Sequence, residues 1–460
     1  MKEILWDYSV NPTTWVYLSS LMTVAIYFKF SRVWSVRNLD LIGLIALSPG
    51  MLLISRGGSL EHVGYGLLFV VGGFFLLRLL IDPHLIRRPL LEPNLSAGGL
   101  AFMGTALLVF LVTNVVTGEV KPIESSAAPS ATQAVVNGNT PSVETAVAEA
   151  RWSKHGIAHP LLRWLPDVSN RAMISEEDTP DDLSPASTAA SDVQSETAAA
   201  HPAYEAMSKT LVIVAQLAIV AGLVFTGYLH FDSVRMGVAA AALYLLLPYT
   251  ARMTGRIDHM LPAAMLVWAI ALYRMPLLAG MLLGLASGTI FYPIFLLPLW
   301  ISFYWQRGLL RFVIGVTSML ILAVGSLALV SSDWASFSGR MVEMATWAIR
   351  PLDDVSGFWS HNGSAFRITV IAAFVALSLG FALWPVQKNL GTLLSCSAAV
   401  MLGTQFWHAH QGGLYMAWYL PLLLLTIFRP NLEDRVALTA LGEGWLARRK
   451  THRLRVVKAA

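Results

Sequence analysis

Apolar runs long enough to cross a bilayer recur along almost the whole of this chain, and that recurrence leaves few folds open. A helical crossing takes about 20 mainly apolar residues, fewer where glycine, proline or tilt shortens the path. On that ruler, spans fall near Thr13–Phe30, Leu39–Ile54, Val63–Ile81, Gly98–Val116, Leu211–Leu229, Met236–Ala251 and Met260–Tyr273. Further spans fall near Leu277–Ile290, Tyr292–Trp305, Phe312–Val330, Ala365–Trp384, Leu390–Gln405 and Leu414–Phe428. The expected fold is all-α: a polytopic transmembrane helical bundle of about 11–13 spans. The spread arises around Phe291, where the pattern fits either one broken helix or a re-entrant pair.

Composition supports that class. Hydrophobic residues make up 55% of the chain and charged residues 13%, where soluble domains carry about 25% charged. Lys and Arg total 32 against 28 Asp and Glu, a net charge of +4, too balanced for a nucleic-acid partner. The single cysteine, Cys396, lies in an apolar run, so one chain can build neither a disulfide framework nor a thiolate metal site. The early run Thr13–Tyr27 follows Lys2, Glu3 and Asp7 and has no small-residue cleavage site after it, so it reads as a retained span.

Loop charge sets the expected orientation. Lys29, Arg32 and Arg37 follow the first span, and Arg78, Arg87 and Arg88 follow the third. Arg307, Arg311, Lys388 and the tail residues Arg429, Arg435, Arg448, Arg449 and Lys450 fall on that same side if the spans are odd in number. That side should be cytoplasmic, with the N-terminus outside, and the expected location is a bacterial plasma membrane. Four regions follow. Residues 1–117 hold the N-terminal transmembrane helices, 118–208 a low-complexity extracytoplasmic loop, 209–430 the main bundle and 431–460 a basic cytoplasmic tail. The loop is rich in Ala, Ser, Thr and Pro with an acidic run at Glu176, Glu177, Asp178, Asp181 and Asp182, and is expected to be disordered. Within it, Trp152–Trp164 suits a short interfacial helix. The tail suits a basic surface helix on the inner leaflet. No internal repeat is visible, which disfavours the inverted-repeat transporters.

On this topology the outer face collects most of the chemistry-bearing side chains. Asp7 lies before the first span and Glu61 after the second. Arg252, Arg256, Asp258 and His259 open a central span. The segment Ser331–Ser364 adds Trp334, Arg340, Trp359 and His361, and a late turn adds His408 and His410. A carboxylate there can take a proton from an acceptor hydroxyl, Arg or His can stabilise a leaving phosphate, and Trp can pack on a sugar ring. The plainer reading is that loops meet water and that Trp belongs at membrane interfaces. Asp258 likewise suits a helix N-terminus whatever its function. A His-x-His pair without further ligands does not make a metal site, and none is assigned.

The central stretch resembles the GT-C class of membrane glycosyltransferases, in particular their polyprenyl-phosphate-mannose-dependent branch. The similarity rests on Gly255-Arg256-Ile257-Asp258, on Leu278-Ala279-Gly280 through Gly284-Leu285-Ala286, on Phe291-Tyr292-Pro293 and on Tyr415–Pro421. This chain departs from that pattern in having no lysine at the Phe291 motif and no clear acidic residue in a first outer loop. The resemblance implies transfer of a sugar from a polyprenyl-phosphate donor at the extracytoplasmic face. Asp258, Asp7 or Glu61 would supply the acid. Arg252, Arg256, His259, Trp334, Arg340, Trp359, His361, His408 and His410 would contact substrate. Such a reaction needs no cofactor beyond an optional divalent cation. Two other readings stand beside it: a noncatalytic membrane scaffold with the 118–208 loop as its contact arm, and an amphiphile transporter or flippase. The last would want ionisable groups at mid-membrane depth, where Gln216 is the nearest polar residue.

Overall fold

The computed structural model describes residues 11–85, 92–118, 189–253, 255–330, 334–346, 357–361, 364–386 and 388–430, without the side chains of 189–207, 330, 336, 340, 343–346, 361, 364 and 365. Among these residues the protein is helical, with no β-strand. The helices are α1 (Pro12–Tyr27), α2 (Val36–Arg56), α3 (Glu61–Ile81), α4 (Ala97–Thr117), α5 (Ala189–His230), α6 (Val234–Leu246), α7 (Pro248–Met253) and α8 (Ile257–Ala271). They continue as α9 (Pro276–Thr289), α10 (Leu297–Tyr304), α11 (Leu309–Val330), α12 (Trp334–Thr346), α13 (Phe358–His361), α14 (Ser364–Leu383), α15 (Leu390–Gln405) and α16 (Leu420–Phe428). Asp7, the acidic run of the insert, Trp152–Trp164, the basic tail and the side chains of Arg340 and His361 lie outside the described residues. α5 begins at Ala189, well before the expected Leu211, and so takes in the last part of the segment read as a disordered insert.

Local signals account for several helix starts. Asn11 caps α1 ahead of Pro12, Ser35 caps α2, Ser96 caps α4 and Ser233 caps α6. Each accepts a backbone N–H that the first helical turn leaves unpaired. Asn389 and Thr392 form a reciprocal capping box on α15. Proline explains one departure from the expected spans. Pro248 ends α6 and starts α7 where one continuous crossing, Met236–Ala251, was expected. The break expected around Phe291 is present: α9 ends at Thr289, Ile290 is extended, and a 3-10 turn, Tyr292–Leu296, leads into α10. α10 then returns the chain to the start of α9, placing Gly308 against Pro276 and Tyr304 Oη on the Tyr273 carbonyl at 2.5 Å.

Among the described residues six helical segments are long and apolar enough to cross a membrane: Val36–Arg56, Gly58–His84, Ala97–Thr117, Ser208–His230, Leu309–Leu329 and Phe366–Leu383. They keep large hydrophobic side chains exposed, among them Val70, Phe102, Ile321, Leu329 and Leu383. Exposed apolar faces of this extent call for lipid, and the chain is a multi-pass membrane protein. The shorter apolar helices sit inside this set. Every residue of α15 and of α16 is buried, and α8 is buried around most of its circumference. A helix apolar on all sides satisfies its surroundings equally well with lipid or with other helices.

Small residues bring the helices close. A Cβ on Gly284 of α9 would lie 2.7 Å from the Val316 carbonyl oxygen of α11, and one on Gly64 of α3 would lie 2.8 Å from the Gly50 carbonyl oxygen of α2. Backbones at that separation gain dispersion contact where lipid offers no hydrophobic drive. One end of the bundle carries a buried ionic group. Arg78 reaches Asp40 at 3.1 Å and Asp82 at 2.7 Å, and Arg429 pairs with the other oxygen of Asp82. Asp40 and Asp82 are almost wholly withdrawn from solvent, so the two arginines are what make burying them tolerable.

Candidate functional site

The opposite end of the bundle gathers α7, the start of α8, the 3-10 turn after α9, the turn after α15 and the entry to α16. The Pro248 break lets α7 lie against the first turn of α8, so that Tyr249 meets His259. Tyr249 Oη accepts the Ala417 N–H at 2.9 Å and donates its own hydrogen to His259 Nδ1 at 2.6 Å. With Nδ1 an acceptor, the imidazole carries its hydrogen on Nε2. That nitrogen is buried with no hydrogen-bond partner among the described residues, and Asp258 Oδ2 stands 3.8 Å from it. Asp258 also pairs with Arg256 Nη2 at 3.4 Å, and both side chains remain partly open to solvent. The site therefore has a reachable carboxylate between a guanidinium and a neutral histidine.

Beneath it lies an aromatic floor. The Tyr415 ring stacks with both His259 and His408, each at a centroid distance of 4.6 Å. Trp418 packs on Tyr415 at 4.6 Å and donates its indole N–H to the Asp258 carbonyl at 3.0 Å, fixing the helix start that carries the carboxylate. Tyr292 lies against His408, Trp407 and Trp418. Gln405 holds the connecting turn by accepting the Gly413 and Tyr415 N–H groups at 3.1 and 3.2 Å. His408 Nδ1 accepts the His410 N–H at 3.1 Å. Burial is the main reason the His408 pKa falls to about 3, with the neighbouring His410, Arg367 and His259 charges in the same direction. At neutral pH it is therefore an uncharged Nε2–H donor.

The expected site residues separate into two sets. Asp258, Arg256, His259 and His408 come together, with His410 joined to His408 through its backbone. Arg252 turns instead to α2, donating to the Met51 carbonyl at 3.0 Å. Glu61 opens α3 beside Tyr65. Trp334 is 78% exposed and packs on Phe337, away from the aromatic floor. Trp359 is buried and donates to the Phe406 carbonyl at 3.0 Å, which braces the turn rather than lining it. Arg367 was not anticipated. It is buried in the first turn of α14, its Nε donates to the Trp407 carbonyl at 2.9 Å, and its charge acts on both Tyr292 and His408. An arginine at the mouth of an otherwise apolar helix was the available signal.

Among the described residues no group of three or more His, Cys, Asp or Glu stands close enough to hold a metal ion. The arrangement can bind an anion at Arg256, accept a proton at Asp258 and offer flat aromatic surface to a ring or lipid chain. No family model, no curated protein and no solved structure matches this chain.

Proposed function

We propose that this protein transfers a sugar from a polyprenyl-phosphate donor to an acceptor hydroxyl at the non-cytosolic face of its membrane. The observation that carries the reading is the solvent-reachable Asp258 carboxylate, set 3.4 Å from Arg256 and 3.8 Å from His259 at the edge of an aromatic floor. In the reaction the acceptor oxygen attacks the anomeric carbon and gives its proton to Asp258. The bond from that carbon to the phosphate oxygen breaks, and its electron pair leaves with the polyprenyl phosphate, which Arg256 stabilises. Loop charge supports the side of action: the end opposite this site carries Lys29, Arg32, Arg78, Arg307, Lys388 and Arg429.

The test is sugar transfer in membranes containing the wild type, Asp258→Asn or Arg256→Gln, with a panel of radiolabelled polyprenyl-phosphate sugars. Wild-type membranes should transfer label, and Asp258→Asn should lower the rate by about 10²–10⁴, the usual contribution of a positioned base. Wild-type membranes that transfer nothing from any donor of the panel would remove the proposal.

A further inference from the structure

The short helix α7 has two working faces. Tyr249 lies on one, toward His259; Pro248, Ala251 and Arg252 lie on the other, where they border a cavity of about 370 Å³. α1, α2 and α4 supply its remaining walls. Its apolar sides include Val16, Leu52 and Phe110, and Phe110 stacks on Trp15 at 5.4 Å.

The polar lining is one-sided. Arg252 supplies a cation, Ser48 and Ser55 hydroxyls and Asn114 an amide, and among the described residues no aspartate or glutamate lines the cavity. Arg252 uses Nη1 on the Met51 carbonyl and has further N–H donors in its planar fork. Trp15 adds its ring to the wall, its indole N–H being withdrawn from the open space. A sugar would bring donors of its own and want carboxylate or carbonyl partners. A ligand made of acceptors, with negative charge and an apolar chain, matches the lining better. The flanking helices say how it arrives: Tyr17 and Leu21 of α1 and Phe102 and Val109 of α4 are exposed, so the cavity walls stand among faces suited to acyl chains.

We propose that this cavity holds the headgroup end of a resident anionic phospholipid. The phosphate sits on Arg252, and the first methylenes lie along Val16, Leu52 and Phe110. The space is too small for two whole acyl chains, so these run out between α1 and α4. Asp258 and His259 lie beyond the opposite face of α7, and the lipid site does not depend on the transferase reading.

Native mass spectrometry of the full chain in detergent, after addition of palmitoyl-oleoyl phosphatidylglycerol or the matching phosphatidylcholine, tests this. One phosphatidylglycerol should survive activation that strips detergent, with phosphatidylcholine retained at least about tenfold less, because its choline ammonium offsets the charge of the same phosphate and is repelled by Arg252. Arg252→Gln should lower phosphatidylglycerol retention by a similar factor and Arg252→Lys should restore part of it. Leu52→Trp, which fills the cavity from α2 and leaves Arg252 in place, should also evict the lipid, and it decides the matter if Arg252→Gln does not fold. Equal retention of the two lipids, or retention unchanged in Leu52→Trp, overturns the proposal. So does displacement of phosphatidylglycerol by an equimolar polyprenyl monophosphate, which would assign the cavity to a substrate.

Discussion

Tyr249 holds His259 in a single tautomer: its hydroxyl accepts the Ala417 N–H and passes its hydrogen to His259 Nδ1 at 2.6 Å. This one oxygen joins α7, α8 and the entry to α16. Tyr249→Phe leaves a buried N–H and a buried ring nitrogen unpaired, which should cost about 1–3 kcal/mol. Thermal unfolding of the purified protein should show the loss, while Tyr17→Phe, on the exposed face of α1, leaves the transition where it was. A melting curve for Tyr249→Phe indistinguishable from wild type would show that the bond carries no stability.

His408 predicts a pH response of definite sign. Its folded pKa is depressed from 6.5 to about 3, mainly by burial, so the folded protein binds fewer protons than the unfolded chain between those values. The stability it contributes is present above about 6.5 and declines as pH falls toward 3. Melting temperature should drop between pH 7 and pH 4.5, and His408→Gln should flatten that part of the curve. An equally steep curve in the variant would place the acid sensitivity elsewhere.

The ionic group at the other end is expected to be intolerant of single changes. Arg78→Met leaves Asp40 and Asp82 buried with half their compensation, and removing one partner of a buried ion pair costs about 3–5 kcal/mol. Yield of folded protein after detergent extraction should fall sharply. Adding Asp40→Asn and Asp82→Asn to Arg78→Met should recover part of it, because the stranded charges are then gone. If the single variant matches wild type in yield and melting, the pairs are ornamental.

The α9–α11 contact offers a steric test. Gly284→Leu drives a side chain into the Val316 backbone, and overpacking of this kind costs about 1–3 kcal/mol. Gly325→Leu, on α11 where nothing lies within 4 Å, should be harmless. Equal melting temperatures for the two variants would mean that the helices do not pack as described.

Much of the architecture was legible because a bilayer punishes unpaired backbone so heavily that apolar length alone locates helices. Depth in the bundle was not legible. Lipid tails and leucine side chains are equally apolar, so α15 and α16, wholly enclosed, resemble α4 and α14, largely exposed, when read as residues. In the site, Asp258, His259 and His408 stood out as ionisable groups beside spans, and the structure brings them together. Tyr249 did not, since one tyrosine near the end of an apolar run suits any membrane interface. The Asp82–Arg429 pair was hidden for a different reason: its members stand 347 positions apart, and nothing local to either names the other.

That separation bears on how the protein is made. Asp82 leaves the ribosome long before Arg429, and α16, the central helix that ends at Arg429, is the last described helix to emerge. Until it arrives, the faces that enclose α16 lack their partner and Asp82 waits without Arg429. Release of the nascent chain before Arg429 would therefore yield a protein that lacks its wholly buried last helix and one of the cations that neutralise Asp82, which is the kind of defect membrane quality control detects.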